Sequence, residues 1–428
     1  MQHRRLTLEP ASIGSARPRA HEETPLPTIV VNHMLEPPGR VTGITRFLFA
    51  ILQGLLDNSS NKIVLVTSWQ AGDLPSALSQ SRLVIVSVPH HAKLSVNVAR
   101  QGGVLTRVMR DHGPAVEFNA NPLGFFGGGW PRIITVHDLY LKLMPRAYPK
   151  RHRMAWSFLF PLSARSADAI VVPSESTRRD LGRFHPSAYA KAVVISEAPA
   201  FDLTSPLTGP PVEGRYGLIV GNLSPNKNAG VAVDALALLE REGHSVPVIH
   251  IGRDEHGILA AAQRAQTLKC PIVTLPAVCD GALRAAYSNA AFFLNTSLYE
   301  GFCLPIVEAQ SCGTPVIASN RSALPEVAGE GAILADPESA AEVAAAIRTV
   351  WTDPAAAQKL SRMGTANVAR FSWDRAARQL LDAVQRCAHA QGRGIAPVTS
   401  TAPAKSIANV KGTAPAISND AAAAQQSN

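Results

Sequence analysis

The chain has 428 residues, 46% of them hydrophobic and 17% charged, and carries a formal charge of +9 with a pI near 9.5. An ordinary domain takes about 100–200 residues, so two domains with irregular ends are expected. The apolar content excludes a wholly disordered chain, and the positive balance favours an acidic partner: nucleic acid, an anionic membrane or a phosphorylated small molecule.

The opening segment MQHRRLTLEPASIGSARPRAHEE lacks the apolar core of a signal peptide, and residues 1–23 read as disordered. From TIVVNHML (28–35) onward, short apolar runs alternate with amphipathic stretches. A Gly-punctuated loop, PPGRVTG, leads to a predicted helix from Ile44 to Asp57. Its apolar run FLFAILQGLL is far short of the ~20 residues that span a bilayer and reads as a buried helix. KIVLVTS (62–68), RLVIVSV (82–88), PRIITVHD (131–138), DAIVVPS (168–174) and KAVVIS (191–196) are further predicted strands. Apolar strands without polar alternation, separated by helices, indicate a parallel sheet covered on both faces.

A Pro- and Gly-rich linker is expected at 202–215, separating a first domain (24–201) from a second (216–370). The alternation then restarts with YGLIVGN (216–222), VPVIHIG (246–252), PIVTLP (271–276), AAFFLNTS (290–297) and TPVIAS (314–319). NAGVAVDALALLEREG, the stretch opening at CDGALRAAYSN and ESAAEVAAAIRTVW supply helices between them. Two doubly wound α/β domains in tandem follow from this pattern. From 391 to 428 the chain is dominated by Ala, Pro, Ser and Thr without an apolar period and reads as a disordered tail.

The five cysteines form no CxxC pair or ligand-spaced cluster, which points to reduced thiols in a cytoplasmic protein. Basic residues concentrate between Met144 and Lys191, where Arg146, Lys150, Arg151, Arg153, Arg165, Arg178, Arg179 and Arg183 meet few acidic ones. That cluster fits either a solvated helix face or an anionic partner. With 6% aromatic residues and no aromatic-plus-basic RNA motif, a nucleic-acid partner is not expected.

The densest chemistry lies in YEGFCLPIVEAQSCGTPVIAS (299–319). The strand AAFFLNTS delivers the chain to a turn at Glu300-Gly301-Phe302, Pro305 suits the first residue of a helix, and Gly313 suits a left-handed cap. In a parallel sheet, ligands bind beyond the carboxyl ends of strands, and a helix N-terminus there offers N–H groups to an anion. Glu308, one turn into the helix, could accept hydrogen bonds from ribose hydroxyls, with Glu300 nearer whatever hangs off the phosphates. Spacing alone equally allows two surface carboxylates.

SLYEGFCLPIVEAQSCGTPVIASNRSALPEVAGEGAILADP (297–337) resembles the donor-site segment of glycosyltransferase family 4, with its E-x7-E motif. YGLIVGNLSPNKN (216–228), ITVHDLYLKLMP (134–145), ADAIVVPSESTRRDL (167–181) and FSWDRAARQLL (371–381) extend the resemblance in the family's order over roughly residues 28 to 388. It implies a GT-B fold: two Rossmann-like domains facing across a cleft, with a C-terminal helix (371–390) crossing back to the first. By position, it implies that Glu308 holds the donor ribose and Lys227 neutralises the diphosphate. Glu300, Gly301, Phe302, Cys303 and Leu304 are then the turn facing the donor sugar, and His137 lies near the transferred sugar. The Gly39–Gly43 loop matches one that approaches the diphosphate from the first domain. The chain departs from the family at Asn222 and Asn226, where many members carry arginine, which leaves Lys227, the helix terminus and a further cation such as Arg253 to balance the phosphates. Pro276-Ala277 replaces the usual glycine before VCDGAL, a departure that bears on base recognition.

The resemblance implies a retaining hexosyltransferase without cofactor or metal, and the sequence has no DxD motif. A nucleoside-diphosphate sugar, GDP-mannose or a UDP-hexose, is the expected donor, mannose being preferred. A saccharide or polyprenyl-diphosphate-linked saccharide is the expected acceptor, in exopolysaccharide or lipopolysaccharide assembly at the inner face of a membrane. The rival readings are a GT-B-shaped nucleotide-sugar isomerase or epimerase and a non-catalytic nucleotide-sugar-binding protein.

Overall fold

The computed structural model describes residues 26–391 apart from 40, 79–80, 125–126, 146–148, 202–208, 210–211, 255 and 267. The two ends expected to be disordered lie outside the described residues, save that Gln391 closes the last helix. Much of the 202–215 linker also lies outside them.

The first sheet contains β1 (Thr28–His33), β2 (Ile63–Thr67), β3 (Leu83–Ser87), β4 (Ala115–Asn119), β5 (Arg132–Thr135), β6 (Ala169–Val172) and β7 (Ala192–Val194). All pairings are parallel, in the order β3-β2-β1-β4-β5-β6-β7. Around it lie α1 (Gly43–Asn58), α2 (Leu94–His112), α3 (Tyr140–Leu143), α4 (Lys150–Ser166), α5 (Glu175–Phe184) and α6 (Pro186–Tyr189). Successive strand residues point to opposite faces, and both faces are covered. Ile29 and Val31 pack with Leu48, Ile51 and Leu55 of α1, whereas Val30, between them, packs with Leu105 and Val108 of α2. Helix α1 starts where Thr42 Oγ1 accepts the Thr45 N–H at 3.2 Å, a side-chain cap of an otherwise unpaired donor.

β4 does not announce itself as an apolar run because Glu117 sits in its middle. That carboxylate is fully buried at the centre of the sheet, where Arg132 Nε of neighbouring β5 lies 2.8 Å away and Trp130 Nε1 donates at 2.7 Å. A buried charge persists only when paired and hydrogen-bonded, and here the partner comes from the next strand in space.

The second sheet contains β8 (Gly217–Val220), β9 (Val248–Ile251), β10 (Val273–Leu275), β11 (Phe292–Asn295), β12 (Val316–Ser319) and β13 (Ala332–Ala335), in the order β10-β9-β8-β11-β12-β13. Its helices are α7 (Ala229–Arg241), α8 (Ile258–Ala265), α9 (Asp280–Asn289), α10 (Leu304–Ser311), α11 (Leu324–Ala328), α12 (Ala340–Thr352) and α13 (Pro354–Val368). In both sheets the chain starts centrally, moves outward one way and then jumps across, so the strand order reverses between β1 and β4 and between β8 and β11. Such reversals open crevices at the carboxyl ends of the strands.

The last helix, α14 (Trp373–Gln391), returns to the first sheet. Its Ala376, Ala377, Leu380, Ala383 and Val384 join the core formed by α1 and β1. Gly54 makes the close approach of α1 to α14 feasible, because a Cβ there would lie 2.8 Å from the Ala377 Cβ. Trp373 Nε1 donates to the Pro199 carbonyl at 2.8 Å, pinning the start of this helix beside the end of the first domain. The arrangement is that of the GT-B fold. Among the described residues, no helix is long and apolar enough to cross a membrane.

Candidate active site

At the β8–β11 crevice two loops lie side by side. After β8 the chain makes one tight turn at Pro225–Lys227, and Asn228, in the left-handed conformation (φ 50°), starts α7. Thr296 Oγ1 donates to the Lys227 and Asn228 carbonyls at 3.1 and 3.2 Å, stitching this turn to the end of β11. The β11 loop then brings Glu300 to Lys227, with Nζ and Oε1 at 2.5 Å. Ser297 Oγ donates to the same carboxylate oxygen at 2.7 Å. Burial works against the Lys227 charge, but Glu300 and Asp138 outweigh it and hold the amine above its ordinary pKa. It stays an ammonium.

Helix α10 begins at Leu304, one residue before the expected Pro305 start, and Gly313 beyond its end takes the left-handed conformation (φ 73°). Cys303, just before it, has φ 86°, uncommon for a residue with a side chain and found where surrounding structure enforces it. Asn295 Nδ2 donates to its sulfur at 3.3 Å, and burial pushes the thiol's pKa up, so it is a neutral wall of the crevice. The Phe302 and Leu304 side chains point into the second domain's core, Phe302 edge-on to Phe371 at 5.5 Å. What this turn can offer a ligand is therefore backbone: Pro305 carries no N–H and the Ile306 N–H is held by the Cys303 carbonyl at 3.0 Å, which leaves the Leu304 N–H at the start of the helix.

Glu308 stands apart from that pair and is 3% exposed. Its Oε2 accepts from the Tyr287 hydroxyl at 3.0 Å and the carboxylate also accepts the Ala200 N–H. Burial raises its pKa above the ordinary carboxylate range, against the lowering pull of Arg46 and Tyr287. Arg46, from α1, reaches across the domains to Asp280 Oδ1 at 2.9 Å and to the Ala200 carbonyl at 3.3 Å. Gly43 starts α1 with open space where a Cβ would stand, and Gly39 in the preceding loop has φ 74°. Asn222 is exposed and its Oδ1 accepts the Arg253 N–H at 3.2 Å. Neither Gly43 nor Asn222 joins the Lys227–Glu300 pair directly.

From the first domain, the chain after β5 faces the same crevice. His137 Nε2 lies 2.9 Å from the Ala120 carbonyl and Nδ1 lies 3.4 Å from Glu197 Oε1. A carbonyl can only accept, so Nε2 carries hydrogen, and Nδ1 facing a carboxylate does the same. Burial would lower the imidazole's pKa, but Glu197, the Ala120 carbonyl and Asp138 outweigh it and raise it, favouring imidazolium. Asp138 is reached by solvent within the cleft yet hemmed in by both domains. Loss of bulk water raises its carboxyl above the usual range, opposed by the Tyr140 N–H and by His137. Sequence reasoning singles out neither Asp138 nor Glu197. The first adjoins His137 in the strand-end HD pair, a signal that was there to find. The second lies sixty residues from its partner in a bland stretch, SEAPA.

Contacts between the domains are numerous at this point. Gly301 lies against His137 so closely that a Cβ would fall 1.8 Å from the His137 carbonyl oxygen. The Gly301 carbonyl accepts from Ser174 Oγ at 2.7 Å and Thr177 Oγ1 at 3.0 Å. Tyr299 Oη accepts the Leu139 N–H at 3.2 Å and donates to Asp180 at 3.1 Å. Glu326 accepts the first N–H groups of α5, from Glu175 at 2.8 Å and Ser176 at 3.0 Å. The two sheets are thus clasped through polar groups at the mouth of the crevice. Among the described residues, no group of three or more His, Cys, Asp or Glu is placed to hold a metal ion.

Two family models match the chain in order: "Glycosyltransferase Family 4" over residues 41–198 and "Glycosyl transferases group 1" over residues 214–353. O-antigen chain mannosyltransferase B of Escherichia coli is 30% identical over 263 residues, covering 59% of this chain and 69% of that protein. Among solved structures, WaaG, a glycosyltransferase involved in lipopolysaccharide biosynthesis, superposes with a TM-score of 0.64 at 12% identity, over 83% of this chain and all but 1% of its own (99%). HepE of Anabaena, solved with UDP and glucose, gives 0.62 at 19% identity over 84% of this chain and 100% of its own. The structural likenesses speak for the fold, and the sequence matches, laid in order along both sheets, show that the chain is a glycosyltransferase belonging to glycosyltransferase family 4.

Proposed function

We propose that this enzyme transfers a hexose, with retention at the anomeric carbon, from a nucleoside-diphosphate sugar to a hydroxyl of a saccharide or polyprenyl-diphosphate-linked saccharide. The observation that carries the reading is the Lys227–Glu300 pair at the strand-order reversal, beside the first turn of α10. An ammonium and the N-terminus of α10, with its Leu304 N–H, converge where a diphosphate would lie. As the glycosidic bond breaks, negative charge grows on that diphosphate, and donors already aimed at it stabilise the transition state without reorganising. In this reading Lys227 and the α10 N-terminus take the role of a metal, and none is required.

Glu308 accepts the donor ribose. Because Glu308 is 3% exposed, entry of the ribose requires the Arg46–Asp280 bridge between the domains to part. Closure afterwards excludes water and limits donor hydrolysis. The leaving phosphate takes the proton of the attacking hydroxyl on the same face. Imidazolium His137 and the Asp138 carboxyl line the acceptor side.

Mannose from GDP-mannose is the preferred donor, supported by the O-antigen mannosyltransferase relative. The same likeness supports polysaccharide assembly, and the site of action in this proposal is the cytoplasm, peripheral at the inner face of the membrane. Calorimetric titration in EDTA with GDP, UDP, ADP and dTDP, beside Glu308→Gln, tests the reading. One nucleotide should bind, and the substitution should weaken it by about tenfold to a hundredfold, the worth of a hydrogen bond to a buried charge. Binding that needs a divalent ion, or no binding with acceptor present, would overturn it.

A further inference from the structure

Helix α4 carries its largest apolar side chains on the wrong side for a core. Met154, Phe158 and Leu162 are 63%, 72% and 47% exposed, and their spacing of four puts them on one stripe. Arg151, three residues before the stripe, and Arg165, three after it, are exposed on the same face. The opposite face is conventionally buried: Phe160 and Ala164 pack with Ile134, Ile170 and Val172, and Trp156 stacks on Phe160 at 4.9 Å. No acidic residue occurs anywhere in α4. An apolar ridge rimmed by cations is thus built outward on a helix already anchored from within.

We propose that this face of α4 docks on a lipid bilayer bearing anionic headgroups, with Phe158 at the centre of the inserted stripe. A helix of this kind lies in the interface plane with its apolar side among the acyl chains and its cations at headgroup level. Charge complementarity selects the occupant. A second copy docked by two-fold symmetry would bring arginine rows together with no carboxylate from α4 between them, and a nucleic acid would give Phe158 and Met154 nothing to bury against.

The placement also suits the chemistry. Asp138 faces the crevice, Tyr140 at the start of α3 accepts the Asn226 N–H of the second domain at 3.2 Å, and α3 packs directly on α4, where Lys142 Nζ donates to Ser157 Oγ at 3.4 Å. One short helix therefore separates the docking face from the acceptor side. The inference rests on the lipid-linked acceptor of the preceding reading, but its test is independent of the donor.

The full chain is sedimented with phosphatidylcholine vesicles, with and without phosphatidylglycerol, at low and high salt. The variants are Phe158→Ser/Leu162→Ser and Arg151→Gln/Arg165→Gln. Wild type should pellet only with the anionic vesicles and less at high salt. Each lost arginine should weaken binding about fivefold, and the apolar variant should weaken it about tenfold or more. Melting temperatures should match wild type, since all four side chains are exposed. Unchanged pelleting of both variants, or none by wild type, would overturn the proposal. So would a wild-type dimer that Phe158→Ser makes monomeric without changing vesicle binding, which would assign the face to a second copy. Nucleotide titration, which does not involve α4, tells failure of the docking proposal from failure of the transferase reading.

Discussion

The Lys227 ammonium lies 2.5 Å from Oε1 of Glu300, although 73 positions separate the two residues in the chain. They meet because β8 and β11 are neighbours in the second sheet while two strands and three helices intervene in sequence. The pair presents a cation in contact with a carboxylate that a diphosphate would have to rival.

Two substitutions separate its halves. Lys227→Ala should lower kcat/KM by about 10²–10³, the cost of losing one donor aimed at developing charge. Glu300→Gln frees the ammonium of its carboxylate, so nucleoside diphosphate should bind as tightly as in wild type or more so, while turnover falls. Isothermal titration and initial rates read the two effects, and a Glu300→Gln enzyme that loses nucleotide affinity would contradict this account.

His137 makes stability pH-dependent in a defined sense. Its pKa is raised in the folded chain, so the Glu197 interaction contributes fully below the ordinary histidine value of about 6.5 and is lost as pH rises through the higher folded value. Glu197→Gln removes the charge while keeping the shape. It should destabilise by about 1.5–3 kcal/mol, the worth of a charged hydrogen bond, at pH 5.5 and by clearly less at pH 9. Urea denaturation at both pH values checks this, and a larger effect at high pH would reverse the sign.

Gly301→Ala puts a methyl where the His137 carbonyl oxygen already sits, 1.8 Å away. Backbone cannot yield as a flexible side chain can, so the domains must separate at this point. Each sheet keeps its own core, and the melting temperature should change little. Turnover should fall by tenfold or more on the order of loss expected for displaced catalytic groups, and small-angle scattering should show a larger radius of gyration. Full activity with an unchanged radius would show that the clasp is not needed.

Gly54→Val tests the return of α14. The added Cβ would meet the Ala377 Cβ at 2.8 Å and the Trp373 carbonyl oxygen at 3.0 Å. Overpacking of this kind costs about 1–3 kcal/mol. In the milder Gly54→Ala background, Ala377→Gly should recover part of the loss, and a double-mutant cycle measures the coupling. Strict additivity would place the two residues in independent environments.

Features that depend on near neighbours along the chain are legible in the sequence. Period and composition mark most strands of both sheets, with ends shifted by up to three residues: TIVVNHML yields β1 at Thr28–His33, and PRIITVHD yields β5 at Arg132–Thr135. Gly313 beyond α10 is a local signal of the same sort, because only the backbone conformation of one residue is at stake. Two strands escaped. β13 is a four-residue edge strand whose Leu334 is 41% exposed, leaving little pattern to read. β4 carries Glu117, acceptable at the centre of a sheet only because Arg132 arrives from the next strand. Tertiary structure alone decided such partnerships: Glu197 on His137, Arg46 on Asp280, Glu326 on the start of α5, and the outward aim of Phe158. Periodicity tells which residues share a face of a helix or strand, but which face meets a core, a cleft or a membrane depends on the elements packed against it, and those come from distant parts of the chain.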